Sequence, residues 1–336
     1  MELLKNIKKN TIILLAITVL VLYLVLKDNL KNIIKAISSM DYKYILIAIL
    51  FFLLSIVIKA YINYKTVADP KKISLKEAIK HNIITQFFNG ITPFSTGGQP
   101  MEIYMLTEHN IKLSHATNIT IQNFIFYQIA LVIYGIVAIT YNSIFHIFPN
   151  NPLLRRLVLI GFIVNILVAI GLFFITFSKK TTKKIMNITI SLLAKIKIVK
   201  NKEKLILRLD DRLNEFHESA KELRKRKKLL IGGIFLNLIS LTCLYIIPLF
   251  IVFGLHDYTS INILDTLTSS AYVLIMGAFV PIPGASGGIE YGFLKFFGNF
   301  LSSNIISAVL LIWRFITYYL GMILGALAFS LEKKGD

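Results

Sequence analysis

The sequence is poor in several things on which soluble domains depend. It has one cysteine, Cys243, which excludes an internal disulfide and a cysteine-built metal cluster. Its place inside an apolar run suits a small buried hydrophobe. Charge is scarce, at 16% of residues against about 25% in soluble domains. With 55% hydrophobic residues and a mean hydropathy of +0.68, this excludes an ordinary soluble enzyme and a disordered chain. Acidic residues are fewest, 18 Asp+Glu against 37 Lys+Arg. Nucleophile elbow, Walker loop and dinucleotide fingerprint are all missing. His81, His109 and His115 have no regular metal-ligand spacing with carboxylates. No catalytic residue, metal or other cofactor is therefore assigned.

What the chain has instead is long apolar runs, several beyond the roughly 18 residues that mark a bilayer span. Full spans are expected near 11–26, 44–64, 116–141, 157–178, 229–253 and 304–331. They must pack on one another, so 1–336 is read as a single integral membrane domain. The run at 11–26 follows Lys5, Lys8 and Lys9, as in a signal peptide. Lys27, Asp28 and Asn29 stand where small cleavage-site residues would be, so an uncleaved first span is expected.

The position of the charge says more than its total. Residues 179–228 hold 17 Lys/Arg and 6 Asp/Glu. Without interleaved aromatics to stack bases, this segment does not read as nucleic-acid binding. It reads as a cytoplasmic segment facing an anionic lipid surface. Within it, Leu205, Leu209, Leu213, Phe216, Ala220 and Leu223 recur at spacings of 3 and 4. That pattern is an amphipathic helix, either lying on the cytoplasmic lipid face or packing under the bundle. Lys65, Lys71, Lys72, Lys76 and Lys80 place 65–80 on the same side, while 254–266 holds only Asp257 and Asp265 and suits the outside. Residues 27–43 fit less well, being expected outside yet carrying four lysines and two aspartates. Lys333 and Lys334 put the C-terminus inside. The expectation is a multi-pass cell-membrane protein with both termini cytoplasmic.

Two stretches are too broken to span. In the first, a helix over 74–88 is followed by Asn89-Gly90-Ile91-Thr92-Pro93-Phe94-Ser95-Thr96-Gly97-Gly98-Gln99-Pro100, then a short helix with Glu102. In the second, an apolar stretch from about 265 ends at Val280, Pro281-Ile282-Pro283-Gly284-Ala285-Ser286-Gly287-Gly288 breaks it, and Ile289-Glu290-Tyr291 opens another short helix. Proline and glycine at this density stop a helix. Each stretch reads as a re-entrant helical hairpin, tolerated in a bilayer only where protein or a wet cavity satisfies its backbone. Both contain Pro-x-x-Ser/Thr-Gly-Gly and then a glutamate, offset by four residues in one and two in the other. Residues 1–150 and 151–336 each give two spans, a hairpin and a span. Three spans lie between the hairpins, so they enter from opposite sides. The fold class expected is an all-α polytopic membrane protein with about six full transmembrane helices plus two re-entrant hairpins in an inverted-topology repeat, as in many secondary transporters.

A half-helix starting inside a bilayer presents free N–H groups and the positive end of its dipole. Gly97, Gly98, Gly287 and Gly288 let a ligand approach the main chain, unless they serve only turns and helix packing. Such a pocket favours an anionic group, phosphate above all. Glu102 and Glu290 either stabilise the adjacent helix N-termini or pair with a cation. Arg314, inside the last apolar run, either pairs with Glu290 or grips a lipid phosphate. Lys59 is nearer a span end and reads as snorkelling. Asn82, Gln86, Asn89, Gln99, Gln122, Asn123 and Gln128 read as interhelical hydrogen bonding or as a polar path. The expected substrate-binding set is Thr96, Gly97, Gly98, Gln99, Glu102, Ser286, Gly287, Gly288, Glu290 and Arg314.

At Thr92–Glu102 and Pro281–Glu290 the chain resembles the lysylphosphatidylglycerol synthase/flippase membrane-domain family, the integral part of the multiple peptide resistance factor and its stand-alone relatives. The resemblance covers about 15–331. It implies a flippase-like domain moving an aminoacylated phospholipid between leaflets, with phosphatidylglycerol or its lysyl derivative as partner and resistance to cationic antimicrobial peptides as outcome. It also implies a label of phosphatidylglycerol lysyltransferase. Aminoacyl transfer would need a sizeable soluble domain, and the longest polar segment here is 179–228, so that activity is not expected of these residues alone. A separate synthase as partner, or an enzyme of lipid aminoacyl transfer or polyprenyl-phosphate glycosyl transfer, are the alternatives.

Overall fold

The computed structural model describes residues 38–67, 72–195, 202–278 and 280–332. Among these residues every regular element is helical. In chain order they are α1 (Tyr42–Val67), α2 (Leu75–Ile91), α3 (Gly98–Glu108), α4 (Leu113–Phe145), α5 (Pro152–Phe177), α6 (Lys179–Lys195), α7 (Lys202–Lys225), α8 (Lys227–Tyr245), α9 (Ile247–Gly254), α10 (Ile263–Gly277), α11 (Gly288–Phe297), α12 (Ser303–Arg314) and α13 (Leu320–Glu332). Two 3₁₀ turns, Pro93–Ser95 and Pro283–Ala285, join α2 to α3 and α10 to α11. A π-helical turn, Phe315–Tyr319, joins α12 to α13.

Among the described residues five stretches are long and apolar enough to cross a membrane: α1, α4, α5, α8 with α9, and Ile305–Leu331. They coincide with five of the six expected runs, and the run near 11–26 lies outside the described residues. The two broken stretches do form pairs of shorter helices. α2 starts at a capping box, in which the Ser74 N–H donates to Glu77 Oε2 (2.6 Å) and the Glu77 N–H to Ser74 Oγ (3.3 Å). α5 starts with Pro152 in its first turn, and the Asn151 side chain accepts from Leu153 and Leu154. Two of the spans are less continuous than their hydropathy. α8 gives way to α9 at Ile246, with Pro248 in the first turn of α9. The last span swells into the π-turn immediately after Arg314.

The polar segment 179–228 folds into two helices, α6 and α7, where the apolar spacing had pointed only to the second. α7 packs under the bundle. Leu213, Phe216 and Ala220 of its stripe are buried. Ser114 Oγ donates to Glu215 Oε2 (2.8 Å), Asn118 Nδ2 to the Phe216 carbonyl (2.8 Å), and His217 Nδ1 meets the Thr176 carbonyl (3.1 Å).

The main apolar core gathers α1, α8, α9, α10, α11 and α12, with Phe297, Phe293 and Trp313 stacked in series at 4.2 and 4.8 Å. A smaller core joins α1, α2, α3 and α4 through Ala60, Ala78, Leu106, Ala116 and Ile119. Where α5 crosses α10, a Cβ on Gly161 would lie 2.1 Å from the Ile275 carbonyl oxygen. Only a residue without a side chain lets those two backbones meet.

Candidate functional site

The two helix breaks share their backbone from the residue before the proline to the second residue after it, and part at Thr96 (φ −93°, ψ −7°) against Ser286 (φ −59°, ψ 141°) and at Gly97 (φ −75°, ψ −21°) against Gly287 (φ 87°, ψ −50°). Thr92 (φ −113°, ψ 144°) corresponds to Ile282 (φ −112°, ψ 143°) as the extended residue before the proline. After Pro93 and Pro283 the chain turns left-handed twice in each case: Phe94 (φ 54°, ψ 15°) and Ser95 (φ 53°) against Gly284 (φ 63°, ψ 14°) and Ala285 (φ 49°). A left-handed conformation costs a residue with a side chain about 1–2 kcal/mol. Three of these four positions carry one, so the surrounding structure must hold the turns in place.

The turns pack against each other, and Tyr318 of the π-turn ties them together. Its hydroxyl donates to the Gly90 carbonyl of the first break (2.7 Å). Its ring covers Gly284 of the second, where a Cβ would stand 2.3 Å from Cζ. The Arg314 guanidinium lies 4.5 Å from the centre of the same ring. Sequence reasoning missed Tyr318. The available signal was its position four residues after Arg314, which sets the two side by side on one helix face.

Beyond the turns the halves diverge. In the first, the Gly97 N–H donates to Thr92 Oγ1 (2.8 Å) and the Gly98 N–H to Asn89 Oδ1 (2.8 Å). The residue equivalent to Thr92 is Ile282, which has no hydroxyl. There Glu290 Oε2 accepts from the Gly287 N–H instead (2.6 Å). The same orphan donor is thus satisfied by a hydroxyl in one half and by the glutamate in the other. Glu290 is committed twice, since its Oε1 lies 2.7 Å from Arg314 Nε. The Nε–H is not aligned for a hydrogen bond, so this contact is an ion pair. Arg314 Nη2 donates to the Gly284 carbonyl (3.1 Å) and to Ser286 Oγ (3.2 Å). Ser286, Glu290 and Arg314 are all buried.

Glu102 is free of any capping duty. Asn63 Nδ2 donates to its Oε1 (2.9 Å), and among the described residues it has no ion-pair partner within 4 Å. One turn beyond Asn63 on α1, Thr66 Oγ1 donates to Asn123 Oδ1 (2.7 Å). The Asn123 amide nitrogen, which faces Glu102, meets no acceptor at hydrogen-bond geometry. Lys59, one turn before Asn63, is half-buried, with Nζ 5.2 Å from the Tyr127 ring centre. Gln99 Oε1, Asn82 Oδ1 and Thr120 Oγ1 are buried and have no hydrogen-bond partner among the described residues.

The expected residues are accordingly brought together in two clusters. Ser286, Gly287, Glu290 and Arg314 form one, and Glu102 is in the other with Asn63 and Asn123, which were not in the expected binding set. Thr96 is exposed and bonds back to the Pro93 carbonyl (3.0 Å). A Cβ on Gly97 or Gly98 would strike Thr92 or Asn89, and one on Gly288 would strike Val280, so these glycines admit the chain's own atoms. Gly287 alone of the four faces open space, and its φ of 87° requires glycine. The N–H groups of Gly97, Gly98 and Gly287 are all spent internally.

Residues 11–325 match the family described as the lysylphosphatidylglycerol synthase TM region. Among curated proteins the chain is similar to an uncharacterized protein, MG306, of Mycoplasma genitalium, 24% identical over 95% of this chain and 86% of that one. Its homolog in Mycoplasma pneumoniae is also 24% identical, over 95% and 85%. A UPF0104 membrane protein of Archaeoglobus fulgidus is 22% identical over 78% of each chain.

Proposed function

The chain belongs to the family of the lysylphosphatidylglycerol synthase TM region, and from that premise we propose that it is a lipid translocase handling an anionic or aminoacylated phospholipid. One observation carries this reading: two helix breaks, one in each half, that open with the same left-handed turn after a proline and pack tip to tip beside buried charges. Carboxylates are expensive inside a bilayer, and they are kept there when they face a partner or a cavity. The roles of the two clusters differ. Glu290 and Arg314 neutralise each other and hold the second break in shape. Glu102, with only neutral amides beside it, offers the uncompensated negative charge that an amine-bearing headgroup pairs with. The headgroup enters between the breaks, and rocking of the two halves about the Tyr318 tie exposes it to the other leaflet.

The test is reconstitution into vesicles with fluorescent phosphatidylglycerol or its lysyl derivative, followed by quenching from outside. Translocation that Glu102→Gln slows at least about tenfold, with the protein still folded, is the expected result. Failure to move any fluorescent phospholipid under any ion gradient would refute the proposal. Formation of lysyl-lipid by the purified chain from charged tRNA would replace it with the enzymatic reading.

A further inference from the structure

α6 carries an apolar stripe that the bundle leaves uncovered. Ile185, Ile188 and Leu192 lie at i, i+3 and i+7 and are all exposed, at 44%, 50% and 58%. Ile190, on the opposite side, is buried at 3%. Lys183 is turned toward α7, where it pairs with Asp210 at 2.8 Å. α6 therefore docks by one face and presents the other.

The exposed stripe has a basic border. Lys180, Lys184, Ser191 and Lys195 line a shallow groove together with Ile188 and Leu192, and Lys183 and Asn187 close it on the side toward α7. α6 also begins one residue after α5 ends, and α5 is a span. The Thr182 hydroxyl holds that junction by donating to the Ile175 carbonyl (2.6 Å). A helix tethered so closely to a span end stays at headgroup level. An apolar stripe with lysines along its edge is the composition of a helix lying in a bilayer interface.

We propose that α6 is a membrane-surface helix that inserts Ile185, Ile188 and Leu192 into the adjacent leaflet and holds anionic phospholipid headgroups with Lys180, Lys184 and Lys195. Of the two roles expected for α7, lying on the lipid face or packing under the bundle, it takes the second, docking under α4 and α5. The occupant is anionic lipid rather than a protein, because α6 follows directly on the end of span α5 and the border of the stripe is cationic. This surface is separate from the two clusters between the helix breaks, so it stands whether or not the chain translocates lipid.

The experiment places a polarity-sensitive dye on Ile188→Cys in a Cys243→Ala background, with the full chain in vesicles. Asp211→Cys, on an exposed position of α7, is the water-facing reference. In vesicles containing phosphatidylglycerol the dye at position 188 shifts to the blue and is quenched by lipid-borne quenchers, while the reference is not. Each lysine near an anionic surface changes the equilibrium about fivefold, so Lys180→Gln, Lys184→Gln and Lys195→Gln together weaken insertion about a hundredfold. High salt gives the same trend in the parent protein. A dye at 188 that stays in water, or that inserts equally in neutral and anionic vesicles and ignores the lysine substitutions, overturns the proposal. The reference position reports whether any variant has lost its fold.

Discussion

Glu290 and Glu102 occupy related places in the two repeats, yet their neutralisation should have very different consequences. Glu290→Gln keeps an oxygen that can still accept from the Gly287 N–H, so it removes the charge and spares the cap. What it leaves is Arg314 buried at 5% exposure without its counter-ion. Removing one partner of a buried pair costs about 3–5 kcal/mol. The two neutral acceptors of Arg314, Gly284 O and Ser286 Oγ, soften that loss without cancelling it. For a protein of this size, about 2 °C per kcal/mol puts the fall in Tm near 6 °C or more. Glu102→Gln exchanges one hydrogen bond from Asn63 for a neutral one and relieves the cost of burying a charge. It should change stability by less than about 1 kcal/mol. Thermal unfolding in nanodiscs, scanned at one rate for all variants, provides the comparison. The double variant Glu290→Gln with Arg314→Met should recover at least about 2 kcal/mol relative to the sum of the singles. Equal destabilisation by Glu102→Gln and Glu290→Gln, or additive losses in the double variant, would refute the asymmetry between the two halves.

Tyr318→Phe removes the hydroxyl that donates to Gly90 while keeping the ring over Gly284. It should cost about 1 kcal/mol in thermal stability and slow translocation by more than that loss implies, because it loosens one break from the other. His217 lies outside the spans, and burial against the bundle lowers its pKa from the usual value, the nearby Lys179 and Lys221 adding to this and the Thr176 carbonyl opposing it. Docked α7 thus binds a proton less readily than free α7. The contribution of His217 to docking is full above about pH 6.5 and is lost as pH falls from there through the lowered pKa. Hydrogen exchange in α7 should speed up across that window, and His217→Gln should abolish the pH dependence.

Period, charge and punctuation were enough to locate most of the helices, because each is a local property. Apolar runs can satisfy their backbone in a bilayer only as helices, and prolines at 93 and 283 stop a helix wherever they stand. The recurring Pro-x-x-Ser/Thr-Gly-Gly was legible in the same way, and the structure gives its two copies the same turn after the proline but different conformations at Thr96 and Ser286 and at Gly97 and Gly287. α6 was not read, since its stripe is short, three positions between flanking lysines at 184 and 195. The breaks inside two spans were hidden too, because hydropathy averages over a proline at 248 and over a π-turn. Which groups meet was also beyond reach. The difference between Thr92 and Ile282 is visible in the sequence as a hydroxyl present or absent. That it frees Glu102 and engages Glu290 follows only once nine residues of chain have folded back to bring α3 against Asn89. Tertiary packing likewise decided that Arg314 is spent on Glu290 and Ser286, and that Tyr318 bonds to Gly90, 228 residues away. Local residue preferences act within a turn or two, whereas a buried charge takes its partner from whatever the assembled helices bring beside it.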